Sequence, residues 1–141
     1  MGKNEPVKII LDTNWYISYL ITGKPYILET ILTDEDIDIL ICEELVEEFN
    51  KIINYPRLLK YFSKSKARKY FRLIKSRCTF ISISSIVTVC RDDKDNYLLA
   101  LAKDSSASYL ITGDDDLLQL EKFENTIICT FTEFINKYYK K

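Results

Sequence analysis

Apolar residues occur along this chain in two spacings. Short continuous runs rich in β-branched residues occupy positions 7–11 (broken only by Lys8), 37–42, 79–83, 108–112 and 126–129. Such runs predict buried strands. Between them the apolar positions recur at helical spacing. In 65–77, Ala67, Tyr70, Phe71 and Ile74 share one face, and in 43–53 Leu45, Phe49, Ile52 and Ile53 form one arc. Further helices are predicted at 13–20, ended by Gly23 and Pro25, and at 26–32, 92–103, 114–120 and 132–139. "TDED" reads as a turn, Tyr55-Pro56 restarts the chain, and 86–89 is an extended piece assigned to no element. Strands alternating with helices imply βαβ units and an α/β fold, a mostly parallel sheet covered on both faces. No repeat, low-complexity segment or linker interrupts the 141 residues, so 1–141 is expected to be a single domain.

Composition removes several chemistries. There is no histidine, which excludes Ser-His-Asp hydrolases, paired-histidine ribonucleases and histidine-ligated zinc. Proton transfer is left to carboxylates, lysine, tyrosine or metal-bound water. Cys42, Cys78, Cys90 and Cys129 form no C-x-x-C pair, which favours buried free thiols over zinc. With three glycines there is no G-x-G-x-x-G and no Walker A loop. No apolar run spans a membrane and no secretion signal opens the chain, so a cytoplasmic location is the default. Net charge is only −1, but residues 49–91 hold 11 Lys and Arg and no acid. The rest of the chain holds 9 basic and 21 acidic residues. An acidic site beside a basic flank suits a metal-dependent enzyme acting on a polyanion.

Four acidic motifs carry the candidate chemistry: "ILDTN" with Asp12, "EELVEEF" with Glu48, "RDDKDN" with Asp95 and "ITGDDD" with Asp114. Each has an ordinary reading. Asp12 and Asp114 follow strands and could cap helices, and Asp92, Asp93 and Asp95 could complement a helix dipole. Glu48 borders the apolar arc of its helix beside Ile52, whereas Glu47 points to the opposite side and should be solvated. Together they suggest more. In an open parallel sheet, loops diverge at a switch point and leave a crevice at the strands' carboxyl ends. Asp12 and Asp114 share that crevice if the first and fourth strands are neighbours. Converging carboxylates need a cation, and oxygen-only ligands suit Mg²⁺ or Mn²⁺, ions that move phosphate.

These motifs resemble those of PIN-domain ribonucleases, especially bacterial PIN proteins of toxin–antitoxin pairs related to VapC-type toxins. The likeness runs over roughly 7–136: "LDTN" at 11–14, "EELVEEFNKIINYP", "RDDKDNYLLALA" and "YLITGDDDLL". Asp93 departs from the family, which often has proline there, and Trp15 replaces a commonly smaller residue. The resemblance implies a three-layer α/β/α sandwich with a five-stranded parallel sheet in order 3-2-1-4-5. It also implies Mg²⁺ or Mn²⁺, single-stranded RNA as substrate, a frequent homodimer and an antitoxin partner. Asp12, Glu48, Asp95 and Asp114 become the catalytic acids, holding one or two ions with Asp116 as a further ligand.

Asn14 and Thr112 are candidates to orient carboxylates or water from behind, with turn and cap bonding as their plainer role. Lys64, Lys66, Lys69 and Arg72 lead the candidates for RNA phosphate contact, alongside Arg57, Lys60, Arg68, Lys75 and Arg77. Tyr61 and Tyr70 could stack bases, although Tyr70 is expected to pack inside. A solvated helix face is the plainer reading of these lysines. The rival functions are a PIN-fold RNA- or protein-binding module without turnover, a receiver domain and a DNA 5′-nuclease. A receiver wants an acidic pair after its first strand and a lysine ending its fifth, which Asp12-Thr13-Asn14 and "CTFT" do not supply. The nuclease of that last type needs substrate-gripping domains for which the chain has no room.

Overall fold

The computed structural model describes residues 5–24 and 26–139, with the side chain of Lys94 left aside. The expected helix breaker Pro25 lies outside the described residues. The strands are β1 (Val7–Leu11), β2 (Ile37–Ile41), β3 (Thr79–Phe80), β4 (Tyr109–Ile111), β5 (Lys122–Phe123) and β6 (Thr126–Cys129). The helices are α1 (Thr13–Thr22), α2 (Ile27–Thr33), α3 (Glu43–Ile52), α4 (Lys64–Lys75), α5 (Asp93–Ser105), α6 (Asp115–Leu118) and α7 (Phe131–Tyr138), with a 3-10 turn at Pro56–Leu58. The sheet order is β3-β2-β1-β4-β6-β5.

The five parallel strands stand in the expected order, and β1 and β4 are neighbours. The expectation of five strands needs one correction. A sixth, β5, pairs antiparallel with β6 at the edge. Its hairpin turns through Glu124, left-handed at φ 54°, with Glu121 likewise at φ 60°. No glycine marks either turn, so the usual hairpin signal is missing from the sequence.

The third strand is also shorter than its apolar run. Beyond Phe80, the Ile81 amide still donates to the Ile41 carbonyl at 2.8 Å. The chain then leaves the sheet, because Asp104 of α5 accepts from the Ser84 and Ser85 amides at 2.6 and 3.0 Å. Residues 86–89 form no strand, and Ile86 is 91% exposed.

Packing follows from periodicity. Ile9, Ile10 and Leu11 are fully buried, as a central strand covered by helices on both faces requires. Burying each such side chain contributes about 1.5–3 kcal/mol. Phe49 of α3 stacks on Phe71 of α4 with ring centroids 3.8 Å apart, which joins the acidic and basic segments through one core. Gly23 ends α1 in the left-handed conformation at φ 73°, its amide donating to the Tyr19 carbonyl. Ser63 caps α4, and Thr130 with Glu133 forms a capping box on α7. Cys42 and Cys129 are buried free thiols, whereas free Cys78 and Cys90 are only half-buried. Burial pushes the Cys42 thiol up to about 12.

Candidate active site

Parallel pairing of β1 with β4 sets Leu11 opposite Ile111, so the residues that follow emerge side by side. The Asp12 amide donates to the Ile111 carbonyl at 3.0 Å. The Thr112 hydroxyl, fully buried, donates to Asp12 Oδ2 at 2.8 Å and accepts from the Asp114 amide at 3.0 Å. One hydroxyl thereby ties the two strand-end acids together. Asp12 Oδ1 accepts from the Asn14 amide at 3.3 Å, and Asp114 Oδ1 from the Asp116 amide at 2.8 Å. Capping and site-building are therefore the same geometry here. A carboxylate has about four acceptor positions, so each cap bond leaves capacity for a ligand.

Asp95 enters from the first turn of α5 and is 3% exposed. Its carboxylate meets those of Asp114 (half-buried) and Asp116 (exposed), one oxygen of each lying within 4.8 Å of the others. Asp12 and Glu48 stand outside that trio. The expected weighting therefore shifts, with Asp116, anticipated as the outer ligand, belonging to the tight cluster. The reason is the cap: the Asp114 side chain turns back on α6 and draws Asp116 beside it.

Glu48 is half-buried on α3 while Glu47 is exposed. The Tyr97 hydroxyl donates to Glu48 Oε1 at 3.4 Å and lies 3.4 Å from Thr13 Oγ1. Burial pushes the Tyr97 phenol far above its ordinary value; the Thr13 bond opposes this, and the Glu48 and Asp12 charges add to it. The phenol thus stays protonated and donates. Asn96, also buried, clamps the loop before α5: its Oδ1 accepts from the Cys90 amide at 2.8 Å and its Nδ2 donates to the Cys90 carbonyl at 2.9 Å. The Cys90 thiol is raised by burial and then by Asp95, Asp116, Asp114 and Asp92. Tyr97 and Asn96 went unnoticed in the sequence, where Cys90 reads only as a buried free thiol. For Asn96 and Tyr97 the available signal was polar groups inside the apolar "DNYLLALA" pattern.

The donor set suits a hard cation, with all-oxygen ligands and one of them buried. Asp95, Asp114 and Asp116 would hold such an ion, whose charge would offset the repulsion among their carboxylates.

The four leading basic residues are not brought onto one face. Lys64, Lys66, Lys69 and Arg72 are all exposed on α4 but spread over about 200° of its circumference. Tyr61 is 51% exposed. Tyr70 is half-buried and donates to the Tyr16 carbonyl at 3.0 Å, so its ring belongs to the packing.

The PIN domain family model matches residues 8–116. The uncharacterised protein MJ1680 of Methanocaldococcus jannaschii is 32% identical over 122 residues, covering 81% of this chain and 75% of that protein. VapBC2 from Rickettsia felis, solved bound to a DNA fragment from their promoter, aligns with TM-score 0.60 and 18% identity over 86% of this chain and 97% of that one. PAE2754 from Pyrobaculum aerophilum gives TM-score 0.66 and 15% identity over 92% and 88%. Both structural likenesses are likenesses of fold.

Proposed function

Because the chain belongs to the PIN-domain family, we propose that it is a Mg²⁺- or Mn²⁺-dependent endoribonuclease, the toxin of a toxin–antitoxin pair. The observation that carries this reading is the convergence of Asp95, Asp114 and Asp116 beside an Asp12 oriented by Thr112. Asp95, Asp114 and Asp116 hold the ion. Asp12, kept in place by a buried donor, faces the same crevice and completes the negative rim. Glu48, steadied by Tyr97, accepts hydrogen bonds from water on the opposite side. The bound ion supplies charge neutralisation at the phosphoryl oxygens and a lowered pKa for the attacking water. Asn14 contributes its backbone amide to Asp12 rather than its exposed side chain. Cations of α4 meet the RNA backbone, Lys64, Lys66, Lys69 and Arg72 among them. The VapBC2 likeness supports an antitoxin partner, and a homodimer acting in the cytoplasm follows the same analogy.

The test measures cleavage of a single-stranded RNA with Mn²⁺, with Mg²⁺ and with chelator. Asp95→Asn and Asp114→Asn should each abolish metal-dependent cleavage while the fold melts cooperatively. Glu48→Gln should impair it and Glu47→Gln leave it intact. Millimolar Mn²⁺ should raise the melting midpoint of the wild type by relieving carboxylate repulsion. Full cleavage by Asp114→Asn would overturn the assignment of the acids, and no cleavage by the wild type together with a midpoint indifferent to metal would leave the alternative of a non-catalytic PIN-fold RNA- or protein-binding module.

A further inference from the structure

The basic flank includes a concave feature between α3 and α4. α3 and α4 enclose a cavity of about 390 Å³. Its floor is apolar, made by Ile53 and Phe71, both buried. Its rim carries Arg68, Arg72 and Lys75 from α4 and the amides of Asn50 from α3 and Asn54 from the turn after it. Among the described residues no carboxylate lines it. Three cations of α4 line one wall of this space, an arrangement that an anion relieves.

Helical spacing explains the convergence. Arg68, Arg72 and Lys75 fall at i, i+4 and i+7 and share one side of α4. Lys66 and Lys69 point elsewhere, so not every α4 cation is equivalent. Lys75 Nζ lies 5.6 Å from the Phe71 ring centroid, its stem laid along the floor. The Asn54 side-chain amide donates to the Asn50 carbonyl at 2.6 Å, which fixes its orientation. The volume lies at the small end of ligand pockets, about 300–1,000 Å³. A lone phosphate leaves most of it empty, whereas a phosphate with its sugar fills more of the space between the cations and the Asn50 and Asn54 amides.

We propose that the α3–α4 cleft grips the backbone of single-stranded RNA, with a phosphate on Arg68, Arg72 and Lys75 and the Asn50 and Asn54 amides beside it. The proposal rests on the reading of the protein as a ribonuclease and names where the substrate is gripped. Asn50 is about 200° around α3 from Glu48, so the cleft opens across α3 from that glutamate and grips the strand outside the acidic crevice. A basic cleft that holds the backbone tracks single strands with little sequence preference.

Binding of a fluorescent single-stranded RNA is measured by anisotropy in chelator, where no cleavage occurs, against salt concentration. Arg72→Gln/Lys75→Gln is compared with Lys103→Gln/Lys137→Gln, which removes the same charge from exposed helical positions outside the cleft and the basic flank. The cleft pair should lose at least tenfold in affinity and the control pair no more than about threefold. The salt slope should flatten by about 0.7 for each phosphate that is no longer neutralised. Equal losses in both pairs would mean diffuse charge attraction and overturn the proposal. Unchanged RNA affinity in the cleft pair would overturn it too. Adenosine monophosphate and inorganic phosphate are titrated alongside. Cleft-dependent binding of these with RNA binding unaffected would assign the site to a free phosphate ligand instead. An acidic peptide displaced by the cleft mutations while RNA is not would assign it to a protein partner. Cleft-dependent binding by a protein that cleaves nothing would sink the nuclease reading alone, and cleavage with indifferent cleft variants would sink the cleft alone.

Discussion

Replacing Thr112 with valine tests the strand-end geometry with almost no change of volume. Thr112 is fully buried, and its hydroxyl serves two partners, the Asp12 carboxylate at 2.8 Å and the Asp114 amide at 3.0 Å. Valine keeps the shape and offers neither bond. Asp12 is itself only 7% exposed, so water does not readily replace the missing donor. A hydrogen bond to a charged group is worth about 1.5–3 kcal/mol and a neutral one about 1 kcal/mol. The expected destabilisation is about 2–4 kcal/mol. For a chain of this size that lowers the melting midpoint by about 6–14 °C. Thermal denaturation followed by far-UV circular dichroism reads it directly. Thr112→Ser is the paired control, because it keeps the hydroxyl and gives up a methyl worth about 1 kcal/mol. Serine should therefore melt above valine. A valine variant that melts with the wild type, or above the serine variant, refutes the bridging role and leaves the Thr112 hydroxyl a bystander to β1–β4 pairing. Metal binding supplies a second readout. With Asp12 free to rotate, the midpoint gain on adding Mn²⁺ should shrink in the valine variant and persist in the serine variant.

Asp104 is held down to about 2 by the Ser85 hydroxyl and the Ser84 and Ser85 amides. A lowered folded-state value contributes stability that is complete above the unfolded value near 4 and disappears as pH falls through about 2. Asp104→Asn should accordingly lower the melting midpoint at neutral pH and flatten its fall between about pH 4 and 2; an unchanged acid limb contradicts this. Tyr97→Phe should reduce RNA cleavage about tenfold, within the range for outer-shell partners, with a midpoint shift under about 4 °C. The same substitution should have no further effect in a Glu48→Gln background, and an additive effect there shows Tyr97 acting elsewhere. Glu124→Gly relieves a left-handed residue at φ 54° and should stabilise by up to about 1 kcal/mol; a lower midpoint would place the demand on the Glu124 side chain instead.

Much of this protein follows from local pattern alone. Continuous apolar runs mark the strands and period-3.6 patterns the helices, because a strand covered on both faces is apolar throughout and a helix covered on one side is not. The buried arc of Leu45 and Phe49 on α3, with Glu48 at its edge, is a local consequence of that repeat. The motif resemblance supplied the sheet order, and the acid-free segment placed positive charge on α4. Other features arise only when distant segments meet. Thr112 reaches Asp12 across 100 positions, and Tyr97 reaches Glu48 across 49. No periodicity encodes such meetings, because they depend on which strands pair and in what register. The same holds for Asp116, which enters the tight cluster through the turn at Asp114, and for the edge strand β5, whose left-handed Glu124 carries no glycine signal. It holds for the cations of α4 as well. Composition counted them together, but only the packing of α3 against α4 separated Arg68, Arg72 and Lys75, which share a cavity, from lysines that face water.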